Sequence, residues 1–212
     1  MTVTAQSIIR QAQELLQDKD GIRWPATDLV VHLNDGQRAL VEMRPEMFAV
    51  TVPIALVAGP KQTLPATVAK LLEISRNTNG AAIRPVERML LDAMEPNWYT
   101  KTGVTAIKHS THDVREPHVF YVYPPAAIGA SVDAVCVVWP AEVETPTGPL
   151  SSQVSGNINC KDDLKNALLH FVVSRAYLVD AEFGGNPELA ASHAQLFARF
   201  AGGATPPLAG KE

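Results

Sequence analysis

Cysteine is scarce: Cys136 and Cys160 are the only two, without metal-ligand spacing, and they read as reduced thiols of a protein made in a cytoplasm. No stretch approaches the roughly 20 continuous apolar residues that span a bilayer. The opening "MTVTAQSIIRQAQELL" is interleaved with polar residues and lacks a secretory leader's basic start and apolar centre. A soluble protein with no membrane partner is expected. Basic residues are not in excess either: 18 Lys and Arg face 22 Asp and Glu, for a net charge of -4, evenly spread along the chain. That balance argues against a dedicated DNA or RNA binder, which needs a concentration of cations for phosphate. Walker loop, Rossmann fingerprint, nucleophile elbow and H-E-x-x-H are all absent.

What is present is ordinary globular composition, 46% hydrophobic and 19% charged, in a 212-residue chain long enough for a real core. Residues 4–17 place Ile8, Ile9, Ala12, Leu15 and Leu16 at helical steps. "QDKDG" (17–21) turns the chain. A second helix opens at Trp24-Pro25, carries Asp28 in its first turn and closes at Arg44-Pro45. Its apolar stripe is Leu29, Val30, Leu33, Leu40 and Val41, with Gly36 on the same side. A mid-helix glycine costs about 1 kcal/mol relative to alanine, so close approach of another helix is the expected compensation. The surrounding Asn34-Asp35-Gly36-Gln37 has no Ser, Cys or His at triad-like or metal-like spacing, which favours packing or an interface over catalysis.

From 48 the period changes. "FAVTVPIALV", "KLLEISRN" (70–77), "AAIRPV" (81–86), "HVFYVYPP" (118–125) and "SVDAVCVVWP" (131–140) read as strands bounded by Gly, Pro or Asn. Pro53 implies an edge or a bulge. "VERMLLDAM" (86–94) reads as a short helix. Residues 140–160, rich in proline, glycine and serine, are expected as a long exposed connection. Helix resumes after a cap at Asp162 or Asp163, with Leu164, Ala167, Leu168, Phe171, Val172, Ala176 and Val179 in register, and ends at Gly184-Gly185. Asn186-Pro187 caps a last helix bearing Leu189, His193, Leu196, Phe197 and Phe200.

The expected fold class is therefore α+β. Helices from residues 1–47 and 160–201 form one bundle, and an inserted, mainly antiparallel β-sandwich or open barrel with one short helix occupies 48–148. A linker at 149–159 and a flexible tail at 202–212 complete the division.

Few residues suggest chemistry. His109, His112 and His118, with Asp113, could contribute to a zinc site, but no convincing fourth ligand or supporting shell follows, so no metal and no cofactor is expected. Asp92 and Glu95 read as solvent-facing or ion-paired. Tyr121 and Tyr123, two apart on one strand, could join Trp98 and Trp139 in a stacking platform for sugars or bases. Without interleaved cations, half-buried sheet residues are the better reading.

Four segments together carry a resemblance over nearly the whole chain: "IRWPATDLVVHLNDGQRALVEMRPE" (22–46), "LDAMEPNWYT" (91–100), "EPHVFYVYPP" (116–125) and "NALLHFVVSRAYLVDAEFGGNPELAASHAQLFARF" (166–200). With them the chain resembles the tailed-phage head-to-tail adaptor family, short connectors that sit beneath the portal ring. The "HSTHDVREP" hairpin and the serine-rich connection depart from the family pattern. The resemblance implies a non-enzymatic virion protein in the neck between capsid and tail, made in the host bacterial cytoplasm. Its partners would be the portal protein, tail nozzle or tube proteins, and further copies in a twelve-fold ring through which DNA passes unread. Such a ring needs two different faces per subunit, and Asn34, Asp35, Gly36, Gln37 and Arg38 are the candidate subunit or portal interface. The competing expectation is an enzyme or a carbohydrate-binding or other small-ligand module that uses the β insertion.

Overall fold

The computed structural model describes residues 3–179 and 186–202. Its elements in chain order are α1 (Ala5–Leu15), α2 (Ala26–Met43), β1 (Ala49–Ala55), β2 (Gly59–Thr63), β3 (Val68–Asn77), β4 (Arg84–Pro85), α3 (Arg88–Met94), β5 (His109–His112), β6 (Val119–Ala126), β7 (Ser131–Val138), α4 (Lys165–Val179) and α5 (Pro187–Gly202). The class is α+β, and the chain divides into two compact units. One comprises the described parts of residues 1–47 and 140–212, the other Phe48–Trp139. The expected Gly184-Gly185 helix end and the tail beyond Gly202 lie outside the described residues.

In the helical unit, α4 is the centre. Ala167, Leu168, Leu169, Phe171, Val172, Val173 and Ala176 are buried around its circumference, because α1, α2 and α5 all pack on it. On α1, Ile8, Ile9, Ala12 and Leu16 are buried as the spacing requires, whereas Leu15 turns to solvent. Pro25 is the N-cap of α2 rather than its first residue. Between α1 and α2 the Asp18 carboxylate accepts N–H bonds from Ile22, Arg23 and Trp24 at 3.0, 2.8 and 2.7 Å, closing the turn. Trp24 then ties it to α4, its indole N–H donating to the Ala176 carbonyl at 3.2 Å.

Two expectations for this unit change. Asp162 and Asp163 do not cap α4 directly: they lie in a 3-10 turn leading into it, where Asp162 accepts from the Val3 N–H at 3.3 Å. Residues 140–159, expected partly as β domain and partly as exposed linker, belong to the helical unit, with Val143, Val154 and Ile158 buried. The physical reason is hydrogen bonding. The Pro149 carbonyl accepts from the Ala26 N–H at 2.8 Å and from the Gln13 amide at 3.0 Å. Near the other end, the Ala5 N–H donates to the Gly156 carbonyl at 3.1 Å. The segment is a strap laid over α1 and α2.

The β unit holds a three-stranded antiparallel sheet, ordered β1-β7-β3, and a four-stranded sheet, ordered β2-β6-β5-β4. The second is mixed, since β4 runs parallel to β5. Both sheets contribute to one apolar cluster, including Ile54, Leu71, Ile74, Phe120, Val122 and Val132. Pro53 lies in β1, at a sheet edge, where its missing N–H leaves no gap in the ladder. The 81–86 run contributes only the two-residue β4, which pairs with β5 and makes β5 an inner strand. Against the simple alternation of a strand, β3 buries Val68, Leu71, Ile74 and Asn77, every third residue. Its pairing with β7 shifts register three times, and each bulge inserts one extra residue before the next inward side chain. β2 lacks apolar alternation altogether. It is anchored by buried Gln62, which accepts from the Val57 N–H and donates to the Val57 and Gly59 carbonyls at 2.8 to 2.9 Å.

Candidate assembly interface

The α2 patch faces two ways. Gly36 faces inward: a Cβ there would stand 2.9 Å from Cδ1 of Phe171 and 3.2 Å from Cδ2 of Leu168, both on α4. The close approach expected at this glycine is to α4. Asn34 uses its amide as a backbone mimic, donating to the Val143 carbonyl and accepting from the Val143 N–H, both at 2.9 Å. Gln37, buried, accepts from the Asn159 N–H at 2.8 Å and donates to Asn34 at 3.3 Å. The two amides clip both halves of the strap onto the helix. Asp35 and Arg38 face outward, and Arg38 pairs with exposed Glu142 at 2.6 Å. Such a surface pair contributes only ~0–1 kcal/mol. Asp35 also lies near His32, whose imidazole is driven below its ordinary range by burial first, with Asp35 opposing that and Arg175 adding to it.

The histidines of the β unit do not converge. His109 and His112 are three apart on β5, hence on opposite faces. His109 lines an open groove of about 880 Å³ with Arg84 and Lys108; His112 lines another, of about 790 Å³, with Asp113 and Arg115. His118 is exposed on the far side of the turn. Arg115 forks onto Asp113, and those hydrogen bonds hold the Asp113 carboxyl down at about 2. Among the described residues no three His, Cys, Asp or Glu side chains stand together as a metal site.

The aromatic platform is covered. Trp98 is fully buried beneath α3 with Leu91, and Tyr121 is 8% exposed in the same cluster. Alternation along β6 explains it: Phe120 and Val122 enter the main core, while Tyr121 and Tyr123 face this second one. The Trp98 indole donates to Asp92 at 2.7 Å, and Glu95 pairs with Lys101 at 2.5 Å, so Asp92 of α3 and Glu95 at its C-cap both have structural partners. Trp139 is half-buried at the end of its unit. This arrangement can bind and pack; it does not set a nucleophile beside a base.

The surfaces that sequence reasoning missed are apolar. α3 buries Leu91 alone and leaves Met89 82% and Met94 69% exposed, with Leu90 beside them and Val114 on the β5–β6 turn also exposed. In the helical unit Leu178 and Val179 at the end of α4, and Leu189 and Phe200 on α5, are exposed. The signal for α3 was available, since a seven-residue helix with four large apolar side chains buries only one stripe. Exposed apolar groups gathered on one element mark surfaces that meet another protein.

No described helix is long and apolar enough to cross a membrane. No curated protein matches the chain. The family model of the SU10 adaptor protein matches residues 3–208, which spans both compact units and every segment that carried the resemblance. The chain thus belongs to the SU10 adaptor protein family, a family of phage head-to-tail adaptors.

Proposed function

We propose that this structural phage protein forms a closed ring of twelve copies in the virion neck, docked on the portal and offering a platform to tail nozzle or tube proteins. The observation that carries the reading is the family match across residues 3–208. The ring continues the DNA channel without reading sequence: a net charge of -4 provides no excess of cations to hold phosphate, so DNA slides rather than sticks. Heterologous ring contacts require two unlike faces on each subunit. The exposed Met89, Leu90 and Met94 of α3 suit one such contact, because flexible thioethers adapt to a partner surface. Asp35 and Arg38, the outward members of the α2 patch, suit a charged contact in the ring or on the portal. The residues beyond Gly202 hold two prolines and little apolar bulk; they are proposed to contact a neighbouring protein on assembly. The protein acts by position, without catalysis.

Electron microscopy of the purified protein mixed with portal rings tests this. The free subunit is expected to be monomeric at low concentration, because the portal supplies the template that raises local concentration. On portal rings it is expected to add as a second, coaxial ring with the portal's own symmetry. Docking of a single copy per portal, or tight duplex binding by the free subunit at physiological salt, would overturn the reading.

A further inference from the structure

Two imidazoles face one another between α4 and α5. Nδ1 of His170 lies 2.9 Å from Nδ1 of His193, and the ring centroids are 5.1 Å apart, so the nitrogens point almost straight at each other. That head-on line is the geometry of a hydrogen bond. Two ligands of one cation would instead aim their lone pairs at an apex beside the line. Phe200 stacks on His170 at 5.5 Å and 9°, and Tyr177 lies against His193 at 6.0 Å, so each ring has an aromatic neighbour beside it.

A hydrogen bond between two Nδ1 atoms has a strict proton count. With both rings neutral, one carries the Nδ1 proton and the other accepts it. With one ring cationic, the bond persists and is charge-assisted. With both rings cationic, each Nδ1 bears a hydrogen, no acceptor remains, and two positive charges stand at contact distance. We propose that His170 and His193 form a proton-counting latch, which holds α5 on α4 while the pair carries at most one positive charge and releases it when both rings are protonated.

The surroundings agree. Burial pushes both imidazoles below the ordinary histidine value, and His193 lowers His170 further. Several other ionisable groups on the packed elements have partners away from the pair. Arg175 of α4 lies over the Phe171 ring at 5.2 Å, Arg44 of α2 donates to the Ala201 carbonyl at 2.7 Å, and His32 of α2 sits with Asp28, Asp35 and Arg175. Arg199 of α5 has an interaction of its own. Burial and, for His170, the charge of His193 are what depress the two rings, and both disfavour the doubly charged state. Among the described residues α5 is held besides by the Ser174 hydroxyl donating to the Ala190 carbonyl at 3.0 Å, by Arg44 donating to the Ala201 carbonyl and by the edge-on contact of Phe171 with Phe197; Ala190 and Ala201 are its fully buried residues. The sign follows from linkage. Groups whose values are depressed in the docked state bind more protons when undocked, so docking is intact above about 6.5 and weakens as the pH falls below it.

The test is hydrogen exchange and imidazole NMR on the full chain between pH 7.5 and 5. Protection factors on α5, with intrinsic exchange divided out, are expected to fall up to about tenfold per pH unit for each extra proton bound on undocking. The fall should set in below about pH 6.5 and level off where the docked pair takes its second proton, while the β unit keeps its protection. In His193→Asn, whose amide can still bond His170 but adds no charge, the fall on α5 should shrink; His170→Asn is the reciprocal variant. Unchanged α5 protection across this range in the natural chain would overturn the latch. So would an equal fall in both variants, which would assign the pH response to other groups.

Discussion

The two units of this chain are held together over very different sequence distances. In the helical unit the decisive contacts join the first 47 residues to the last third: Gly36 to Phe171, Trp24 to Ala176, Arg44 to Ala201, Gln13 to Pro149. In the β unit every strand pairs within residues 48–139. The difference concerns autonomy. The β unit carries its own core, whereas neither half of the helical unit does. α1 buries Ile8, Ile9, Ala12 and Leu16 largely against residues supplied from beyond position 140, and a helix this short is marginal in water when alone.

Dividing the chain tests that contrast with the largest expected effect. A fragment of residues 48–139 should retain a β-type circular dichroism spectrum and a cooperative thermal transition. A fragment of residues 1–47 should be largely unfolded, and should gain helix only when mixed with residues 140–202. Cooperative melting of 1–47 on its own would break the comparison.

Single substitutions sharpen it. Trp98→Ala empties the small cluster under α3 and leaves the Asp92 carboxylate without its indole donor. Truncating a buried tryptophan costs about 3–5 kcal/mol. The loss should appear in the 48–139 fragment as fully as in the whole chain, because nothing outside that fragment is invoked. Equal stability of the variant and natural fragments, by urea titration, would show that α3 is not fastened by Trp98. The corresponding change in the helical unit is Gly36→Val. Its Cβ would fall 2.9 Å from Phe171, and its two methyls have less room still. Overpacking of this kind costs about 1–3 kcal/mol. The same substitution in an isolated peptide of residues 22–46 should change helicity little, since α4 is then absent.

Sequence periodicity made the helices legible because their inward faces keep a regular step, and it made the α+β class legible through the change of period near residue 48. It failed where a side chain does a backbone's work. Asn34 and Gln37 read as an unassigned polar patch because their partners, Val143 and Asn159, lie 109 and 122 residues away. The strap they hold read as an exposed connection for the same reason: its hydrogen bonds go to amides that composition cannot locate. β3 buries every third residue because of its bulges, and β2 has no apolar alternation because one glutamine secures it. The His170–His193 pair was hidden for a related cause, since its members lie on different helices 23 residues apart. The inward and outward members of the α2 patch could not be told apart either. Asp35 and Gln37 are two residues apart, and only the position of the strap decides which of them is covered.

The smallest effect on the free subunit is expected at Asp35, and there the comparison passes from folding to assembly. Asp35 is exposed, and its charge opposes the lowering of His32 by burial. Asp35→Lys would remove that support and add a cation, leaving His32 more firmly neutral. At pH 8, where His32 is neutral in either protein, the melting temperature should not change measurably, since exposed charges away from structural features alter stability by less than about 0.5 kcal/mol. Gly36→Val, one residue away, should lower it. If Asp35 lies in a contact between subunits or against the portal, the same reversal places a like or unpaired charge in a partly desolvated interface, where the penalty is several-fold larger. Portal-templated ring formation by Asp35→Lys, scored by electron microscopy and by sedimentation, should therefore fall while the monomer stays intact. Rings that form in equal yield would remove the outward face of α2 from the assembly contacts and leave α3 as the surface to test.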